Sequence, residues 1–263
     1  GKMVDDLVIP IGITSIPDNA FDHCSSLISV TIPDSVTNIG KNAFYECSNI
    51  KTVTVGSGVV SIGGAAFHGC SRLTEFIVPM GVTIIEASTF SDCFSLRSVM
   101  LPNSIVAIGN YAFRECRSLS TITFPQKIMS IGREAFRGCA EIAVINLPDT
   151  TEKIEDYAFA ECIGLTTIML PNGLTTIGEA AFSGCTKLKD VVVPESVTNI
   201  GNAAFSKCAA LESLTVPIVG NETNTWLGQL FGVTSFEGGV VSKKYNSSDM
   251  AYVPATLTKL TVT

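Results

Sequence analysis

Apolar residues recur along most of the chain at fixed distances from a repeated phenylalanine, which we number as position zero of each unit. In the unit that begins at Phe44, they fall at +3, +6, +9, +11, +15, +18 and +22. Alternation of apolar and polar residues over +8 to +11 predicts a half-buried β-strand with +9 and +11 facing inward. Proline follows this strand at +12 in all units but one, where Gly56 replaces it. A second short strand is predicted over +16 to +18, as in residues 37–39.

The phenylalanines are 23 residues apart, and a cysteine follows each of them by three residues. A fixed period of this length is the signature of a leucine-rich-repeat solenoid, in which each unit forms one coil stacked on the next. The sequence therefore predicts an α/β leucine-rich-repeat solenoid with parallel short strands. The Ala-Phe-x-x-Cys segment is predicted to make about one helical turn, with Phe and Cys on one side. Glycine is usual at +19, but Glu86 and Glu155 replace it, which predicts a tight bend that does not require positive φ. The phenylalanines are Phe21, Phe44, Phe67, Phe90, Phe113, Phe136, Phe159, Phe182 and Phe205.

The repeat pattern divides the chain into three parts. Residues 1–217 hold nine full units and one further strand, residues 218–253 break the pattern, and residues 254–263 resume the strand pattern after two periods. The chain also starts and stops within a repeat, so we expect it to be a fragment of a longer protein.

The irregular part has its own short apolar pattern. We expect an amphipathic helix that begins near Asn224 and covers the core, followed by a polar loop that runs through residues 238–249. The apolar residues that predict this helix are Trp226, Leu227, Leu230 and Phe231.

Bulk composition excludes several classes of protein. Hydrophobic residues make up 46% of the 263 residues and charged residues only 16%, so a disordered chain is excluded. No apolar run reaches the ~18 residues of a membrane helix, so no membrane span is expected. A formal charge of −7 argues against a nucleic-acid or anionic-membrane binder.

All nine cysteines share the +3 position, so their spacing follows from the repeat and is not independent evidence for disulfides. We expect free, buried thiols that pack as small apolar groups and donate weakly to carbonyls. The ~4.8 Å distance between neighbouring coils also permits occasional pairing. A zinc site is disfavoured because His23 and His68 are the only histidines, and we expect no metal and no cofactor.

The consensus L-x-x-V-x-I-P-x-x-V-x-x-I-G-x-x-A-F-x-x-C, which covers residues 4–217, resembles the BspA-like leucine-rich repeat family. The segment W-L-G-Q-L-F-G at 226–232 and the final V-P-A-T-L-T-K-L-T-V-T also resemble an interruption found in some of its members. This resemblance implies a surface or secreted protein that adheres to host matrix proteins such as fibronectin and fibrinogen. It implies no catalytic residues, because the family motif positions are core positions.

The outward positions +8 and +10 of the first strands are expected to form a concave, hydroxyl-rich face with scattered apolar residues. Such a face could bind a protein or a glycan, although Thr and Val also simply suit strands. The candidate binding residues are Ile77, Met100, Thr121, Thr123, Met169 and Val192.

Two other groups of residues are weaker candidates for a functional site. Arg114 and Arg137 share position +1 of adjacent units and could bind an anion, but interleaved Glu115 and Glu134 favour a solvated, charge-paired edge. His68 lies near Cys70, yet that cysteine belongs to the structural ladder, so no nucleophilic site is predicted.

The sequence thus predicts a monomeric, non-enzymatic adhesion protein, located at the cell surface or secreted, with a protein ligand. A glycan-binding module that uses the same face, or a structural spacer that displays other domains, remains the alternative.

Overall fold

The chain forms the predicted leucine-rich-repeat solenoid, in which each 23-residue unit contributes two short strands and one tight turn to a coil. The computed structural model describes residues 5–217, 230–232, 235, 239–243 and 250–263. Within this part of the chain, no helix has the length and apolar character needed to cross a bilayer.

The first strand of each coil follows the alternating +8 to +11 segment, with positions +9 and +11 inward and positions +8 and +10 outward. The first strands are β1 (Asp6–Val8), β3 (Ser29–Ile32), β5 (Thr52–Val55), β7 (Glu75–Ile77), β9 (Ser98–Met100), β11 (Thr121–Ile122), β13 (Val144–Asn146), β15 (Thr167–Met169), β17 (Asp190–Val192), β19 (Ser213–Val216) and β22 (Lys259–Val262).

The second strand of each coil has two residues and buries one isoleucine at +18. The second strands are β2 (Ser15–Ile16), β4 (Asn38–Ile39), β6 (Ser61–Ile62), β8 (Ile84–Ile85), β10 (Ala107–Ile108), β12 (Ser130–Ile131), β14 (Lys153–Ile154), β16 (Thr176–Ile177) and β18 (Asn199–Ile200).

Both sets of strands pair in parallel between coils, with residues 23 apart as partners, for example Ile77 with Met100. The first strands form three successive sheets, β1-β3-β5, then β7-β9-β11, then β13-β15-β17-β19-β22. The second strands form two, β2-β4-β6 and β8 through β18. Hydrogen bonding is therefore interrupted in both sets at the boundary between the β5–β6 coil and the β7–β8 coil. Between β11 and β13 it is interrupted in the first strands alone.

The Ala-Phe-x-x-Cys segment forms a tight turn, so the prediction of a helical turn is wrong. The residues two before and two after each phenylalanine have left-handed backbone, with φ of 49–60° and 54–78° respectively. This interrupts any helix, although Cys47 N–H still donates to the Phe44 carbonyl at 3.3 Å. The alternation lets every second amide point to the next coil, as where Phe44 N–H donates to the Ala66 carbonyl at 2.8 Å. We call this inter-coil series the turn ladder.

The usual glycine at +19 does not have positive φ, which confirms the prediction for this bend. Glycine is needed for space instead. A Cβ added at Gly40 would lie 2.5 Å from the backbone nitrogen of Asp18 in the preceding coil. Glu86 occupies this position where the second strands β6 and β8 are not paired, but Glu155 occupies it where β12 and β14 are paired, so a paired ladder does not by itself exclude a side chain there.

The core is a column of phenylalanine rings that runs the length of the repeats. From Phe21 to Phe205, successive rings stack with centroids 5.1–5.8 Å apart and interplanar angles of 4–11°. Burial of each ring contributes about 1.5–3 kcal/mol, and each ring gains its contacts from neighbouring coils. Stability therefore depends on stacking, as expected for a solenoid.

The prediction of free, buried thiols is confirmed. All nine cysteines are free, and all are buried except the half-buried Cys24. Each thiol from Cys47 to Cys208 donates to the carbonyl of the phenylalanine 26 residues earlier, at 2.9–3.3 Å. Burial raises the pKa of Cys162 and of Cys208 to about 12.

The C-terminal part continues the solenoid in modified form. Leu230 and Phe231 are helical and buried, and Phe205 N–H donates to the Leu230 carbonyl at 2.9 Å, which extends the turn ladder. β22 pairs in parallel with β19 at a distance of 46 residues. Trp226 and Leu227 lie outside the described residues.

The predicted polar loop is wrong for part of its length. Two antiparallel strands, β20 (Gly239–Lys243) and β21 (Met250–Pro254), form a hairpin there. Its physical reason is the β-forming pairs at 240–241 and 252–253, which flank a polar stretch. The division of the chain at residues 217 and 253 stays a prediction.

Candidate binding face on the first strands

The outward side chains of the first strands form one continuous face, which we call the first-strand face. Strand alternation places positions +8 and +10 on this face, while +9 and +11 enter the core. The structure brings all six predicted binding residues to it. Thr121 and Thr123 are exposed, and Ile77, Met100, Met169 and Val192 are 63%, 65%, 64% and 66% exposed.

The four apolar side chains occur as two pairs on neighbouring coils. Ile77 lies beside Met100 in the β7–β9 register, and Met169 and Val192 end the neighbouring strands β15 and β17. Three coil steps of ~4.8 Å separate the two pairs, or about 14 Å. Large apolar side chains that stay exposed on rigid strands are typical of contact sites for other molecules.

A cleft opens between the two pairs, where β11 and β13 fail to pair. No hydrogen bond joins residues 120–124 to residues 143–147, all of which are described. The space at this point has a volume of about 430 Å³. Its lining includes Thr121, Thr123, Gln126, Val144 and Asn146. We call it the β11–β13 cleft.

An oversized core residue accompanies this interruption. Position +11 is Ile, Val or Leu in the other described coils. In the coil of β11 and β12, this position is Phe124, just after the end of β11. Phe124 is only 4% exposed and packs edge-on against Phe136, with ring centroids 5.6 Å apart. The interior is packed too tightly to absorb the larger ring without a shift, so the strands are held apart above it.

The same relation holds at the other interruption of the first strands. Phe76 takes the inward +9 position of β7, where Val, Ile or Leu is usual, and its ring lies 5.0 Å from Phe67 and 4.8 Å from Phe90. Next to it, Val53 and Val55 of β5 are half-buried, whereas Val30 and Ile32 of β3 are buried. Sequence reasoning missed this effect because both phenylalanines count as ordinary apolar residues in the pattern.

Charge is distributed unevenly along the two edges of the first-strand face. Lys51, Arg72 and Arg97 are exposed at +5 or +7, before the strands begin. Asp34 and Glu195 are exposed at +13, beyond the strand ends. The backbone N–H of Ser57 donates to Asp34 at 2.7 Å and, with the Ser57 hydroxyl, lowers the pKa of this carboxyl.

The arginine cluster on the turns is internally paired. Arg114, Arg133 and Arg137 approach the buried Glu134 carboxylate to 3.4, 3.7 and 3.2 Å. Arg137 also contacts Glu161 at 3.0 Å. These contacts support the charge-paired edge over the anion site.

His68 does not lie in an arrangement suited to catalysis or metal binding. Its ring nitrogens are 3.7 Å from Glu46 and 3.7 Å from Asp92, and the ring stacks on Tyr45 at 4.6 Å. Over the described residues, no group of three or more His, Cys, Asp or Glu side chains could hold a metal ion. Cys70 is committed to the Phe44 carbonyl at 3.3 Å, and burial raises its pKa well above the ordinary value.

The chain is similar to several solved structures of bacterial proteins. A leucine-rich cell surface protein from Faecalibacterium prausnitzii is 25% identical over 99% of this chain and 88% of its own, with a TM-score of 0.44. A leucine-rich repeat protein from Bacteroides ovatus is 23% identical over 80% of this chain and 72% of its own, with a TM-score of 0.56. The pneumococcal vaccine antigen PcpA is 23% identical over 84% and 73%, with a TM-score of 0.47.

No curated protein matches the sequence. A family model described as the BspA type leucine rich repeat region matches it in six copies, over residues 2–120 and 106–226. The chain therefore belongs to the BspA-type leucine-rich repeat family.

Proposed function

We propose that this protein is a non-enzymatic binding protein of a bacterial cell surface whose first-strand face docks a protein partner, such as a host matrix protein. The observation that carries the proposal is the pair of exposed apolar clusters, Ile77 with Met100 and Met169 with Val192. Membership of the family supports a surface location, because the family resemblance implies surface or secreted proteins.

The face has the composition of a protein contact site. Interfaces concentrate their energy in a few apolar or aromatic anchors that are surrounded by polar residues. Here exposed Thr and Asn side chains lie between the two apolar pairs, and exposed Glu75 and Asp190 lie on the same strands as Ile77 and Val192. One edge of the face is mainly basic and the other mainly acidic. The backbone that carries these side chains also loses little freedom on docking, because parallel ladders already fix it.

The proposal is tested by binding of the intact chain to immobilised fibronectin and fibrinogen. We expect the double variant Met100→Ala/Met169→Ala to weaken binding about tenfold or more, because truncation of a buried anchor costs about 1–2 kcal/mol. The variant Met129→Ala, in which an exposed methionine lies outside this face, is the matched control and should bind like the parent protein.

Two results would contradict the proposal. One is equal binding by the parent, the double variant and the control. The other is an absence of binding to either matrix protein by the parent chain.

A further inference from the structure

We propose that the β11–β13 cleft is a binding subsite for a neutral saccharide. This goes beyond the protein-binding proposal and does not depend on it, because the cleft and the apolar pairs involve different side chains.

The cleft is preformed and confined to one side of the solenoid. At the same coil boundary, β12 still pairs with β14. The turn ladder also continues, with Phe136 N–H donating to the Ala158 carbonyl at 2.8 Å. Only the first strands are separated at this boundary. The paired second strands and the turn ladder hold the two coils together on the other two sides of the solenoid. A ligand therefore meets a shaped surface without a cost in ordering it.

Four of the side chains that line the cleft are polar and uncharged, and their hydrogen-bonding groups have no protein partner in the described part of the chain. The side chains of Thr121, Thr123, Gln126 and Asn146 make no hydrogen bond to any described residue. Two hydroxyls and two amides can each both donate and accept. Adjacent hydroxyl groups of a sugar, which also both donate and accept, match such a set.

The backbone adds an unused donor at the same place. Ser120 and Thr166 occupy the +7 position of their coils, and their amides donate to the preceding coil at 3.1 and 2.9 Å. Ala143 has the same repeat position and lines the cleft, yet its N–H has no acceptor among the described residues. At the cleft, this amide is a main-chain donor that is available for a ligand.

The floor and wall of the cleft are apolar. Ile122 is half-buried, whereas the equivalent residues Val99 and Ile145 in neighbouring coils are buried. Phe124 and Val144 complete the apolar surface. A pyranose ring presents C–H groups on one face and hydroxyls at its edge, and this arrangement suits an apolar floor with a polar rim. The volume of about 430 Å³ falls within the ~300–1,000 Å³ usual for small-ligand sites.

The absence of charge among the lining residues selects the ligand class. Recognition of sulfate, phosphate or sialic acid groups uses Arg or Lys side chains, and no lining residue of this cleft is charged. The chemistry therefore favours neutral hexoses and N-acetylhexosamines over acidic sugars.

The test is saturation-transfer NMR on the intact chain with galactose, glucose, mannose and N-acetylglucosamine as probes, and with sialyllactose as the acidic comparison. We expect a signal from at least one neutral sugar and a weaker one from sialyllactose. Asn146→Ala should weaken binding about threefold to tenfold through the loss of one neutral hydrogen bond. Thr31→Ala, at the +10 position of the paired strand β3, should leave binding unchanged.

A second variant keeps the test independent of any single contact. Phe124→Leu should close the cleft and abolish the sugar signal, while the far-ultraviolet circular dichroism spectrum stays that of a solenoid. No signal from any neutral sugar, equal binding by Asn146→Ala, or stronger binding of sialyllactose would each overturn the proposal. Met100→Ala/Met169→Ala should leave the sugar signal intact, which separates this proposal from the docking of a protein.

Discussion

Each cysteine from Cys47 to Cys208 occupies a buried site in which one carbonyl oxygen accepts a hydrogen bond from its thiol. Burial disfavours the thiolate, and it raises the pKa of Cys162 from 9.0 to about 12. The unfolded chain therefore releases its thiol protons first as pH rises. The stability that these thiols contribute is complete below the unfolded pKa and is lost as pH rises from about 9 towards 12.

This linkage predicts unfolding in mild alkali. At pH 10, about one unit above the unfolded pKa, each buried thiol should lower the free energy of unfolding by about 1 kcal/mol. The eight buried thiols together should lower it by several kcal/mol, which is comparable to the stability of a whole domain. We expect the urea midpoint, followed by circular dichroism, to fall steeply between pH 8 and pH 10.

The double variant Cys162→Ala/Cys185→Ala is the control for other titrating groups. Over the same pH interval, its free energy of unfolding should fall by about 2 to 3 kcal/mol less than that of the parent protein. An identical pH dependence in the two proteins would contradict the linkage. Rapid reaction of the thiols of the folded protein with a disulfide reagent at pH 8 would also contradict the linkage.

The turns show where sequence reasoning fails at the scale of single residues. The Phe and Cys of each turn are three residues apart, a spacing that equally fits one face of a helix. Left-handed backbone would normally be signalled by Gly or Asn. Here residues such as Glu46, Ala65 and Tyr111 adopt it, with φ of 54–60°. Inter-coil hydrogen bonds impose this conformation, and they cannot be predicted from the sequence of a single unit.

At the scale of strands, the inward residues set the spacing of the sheets. Seven of the first strands in the repeats have aliphatic side chains at both +9 and +11, and two have a phenylalanine, Phe76 or Phe124, at one of them. Each of these two aromatic residues accompanies a break in the ladder of first strands. The strands were predictable from alternation. The breaks would have been predictable only from side-chain volume, which a pattern of apolar and polar letters does not contain.

Replacement of the larger ring should restore the ladder. In Phe124→Leu, β11 and β13 should pair, and the Ala143 amide should donate to Ser120 as Thr166 does to Ala143. Hydrogen exchange of the Ala143 amide is then expected to slow by about tenfold, which corresponds to one hydrogen bond of ~1.4 kcal/mol.

The reverse substitution serves as the control for this effect. Leu147→Phe, at the same +11 position in the next coil, should speed exchange at the Thr166 amide. If the Ala143 amide keeps its parental exchange rate in Phe124→Leu, the volume explanation is wrong.

At the scale of the whole molecule, the 23-residue period was sufficient to predict the solenoid, its inward residues and its exposed face. The C-terminal hairpin was not predictable in the same way, because a repeat pattern says nothing about an insertion. The binding face likewise divides into a predictable and an unpredictable part. Exposure of Met100 and Met169 follows from strand alternation, whereas the β11–β13 cleft follows from a packing conflict within the core.

The boundary between the β5–β6 coil and the β7–β8 coil has a mechanical consequence. Both strand ladders are interrupted there, and the turn ladder continues through Ala65, Phe67 and Gly69, whose amides donate at 2.8, 3.0 and 2.8 Å. Apart from a long bond of 3.4 Å between Thr74 and Lys51, these bonds carry the backbone load across that plane. A rod pulled from its two ends should therefore rupture first at this plane. In an optical trap, the first extension step should release the coils on its N-terminal side as one block.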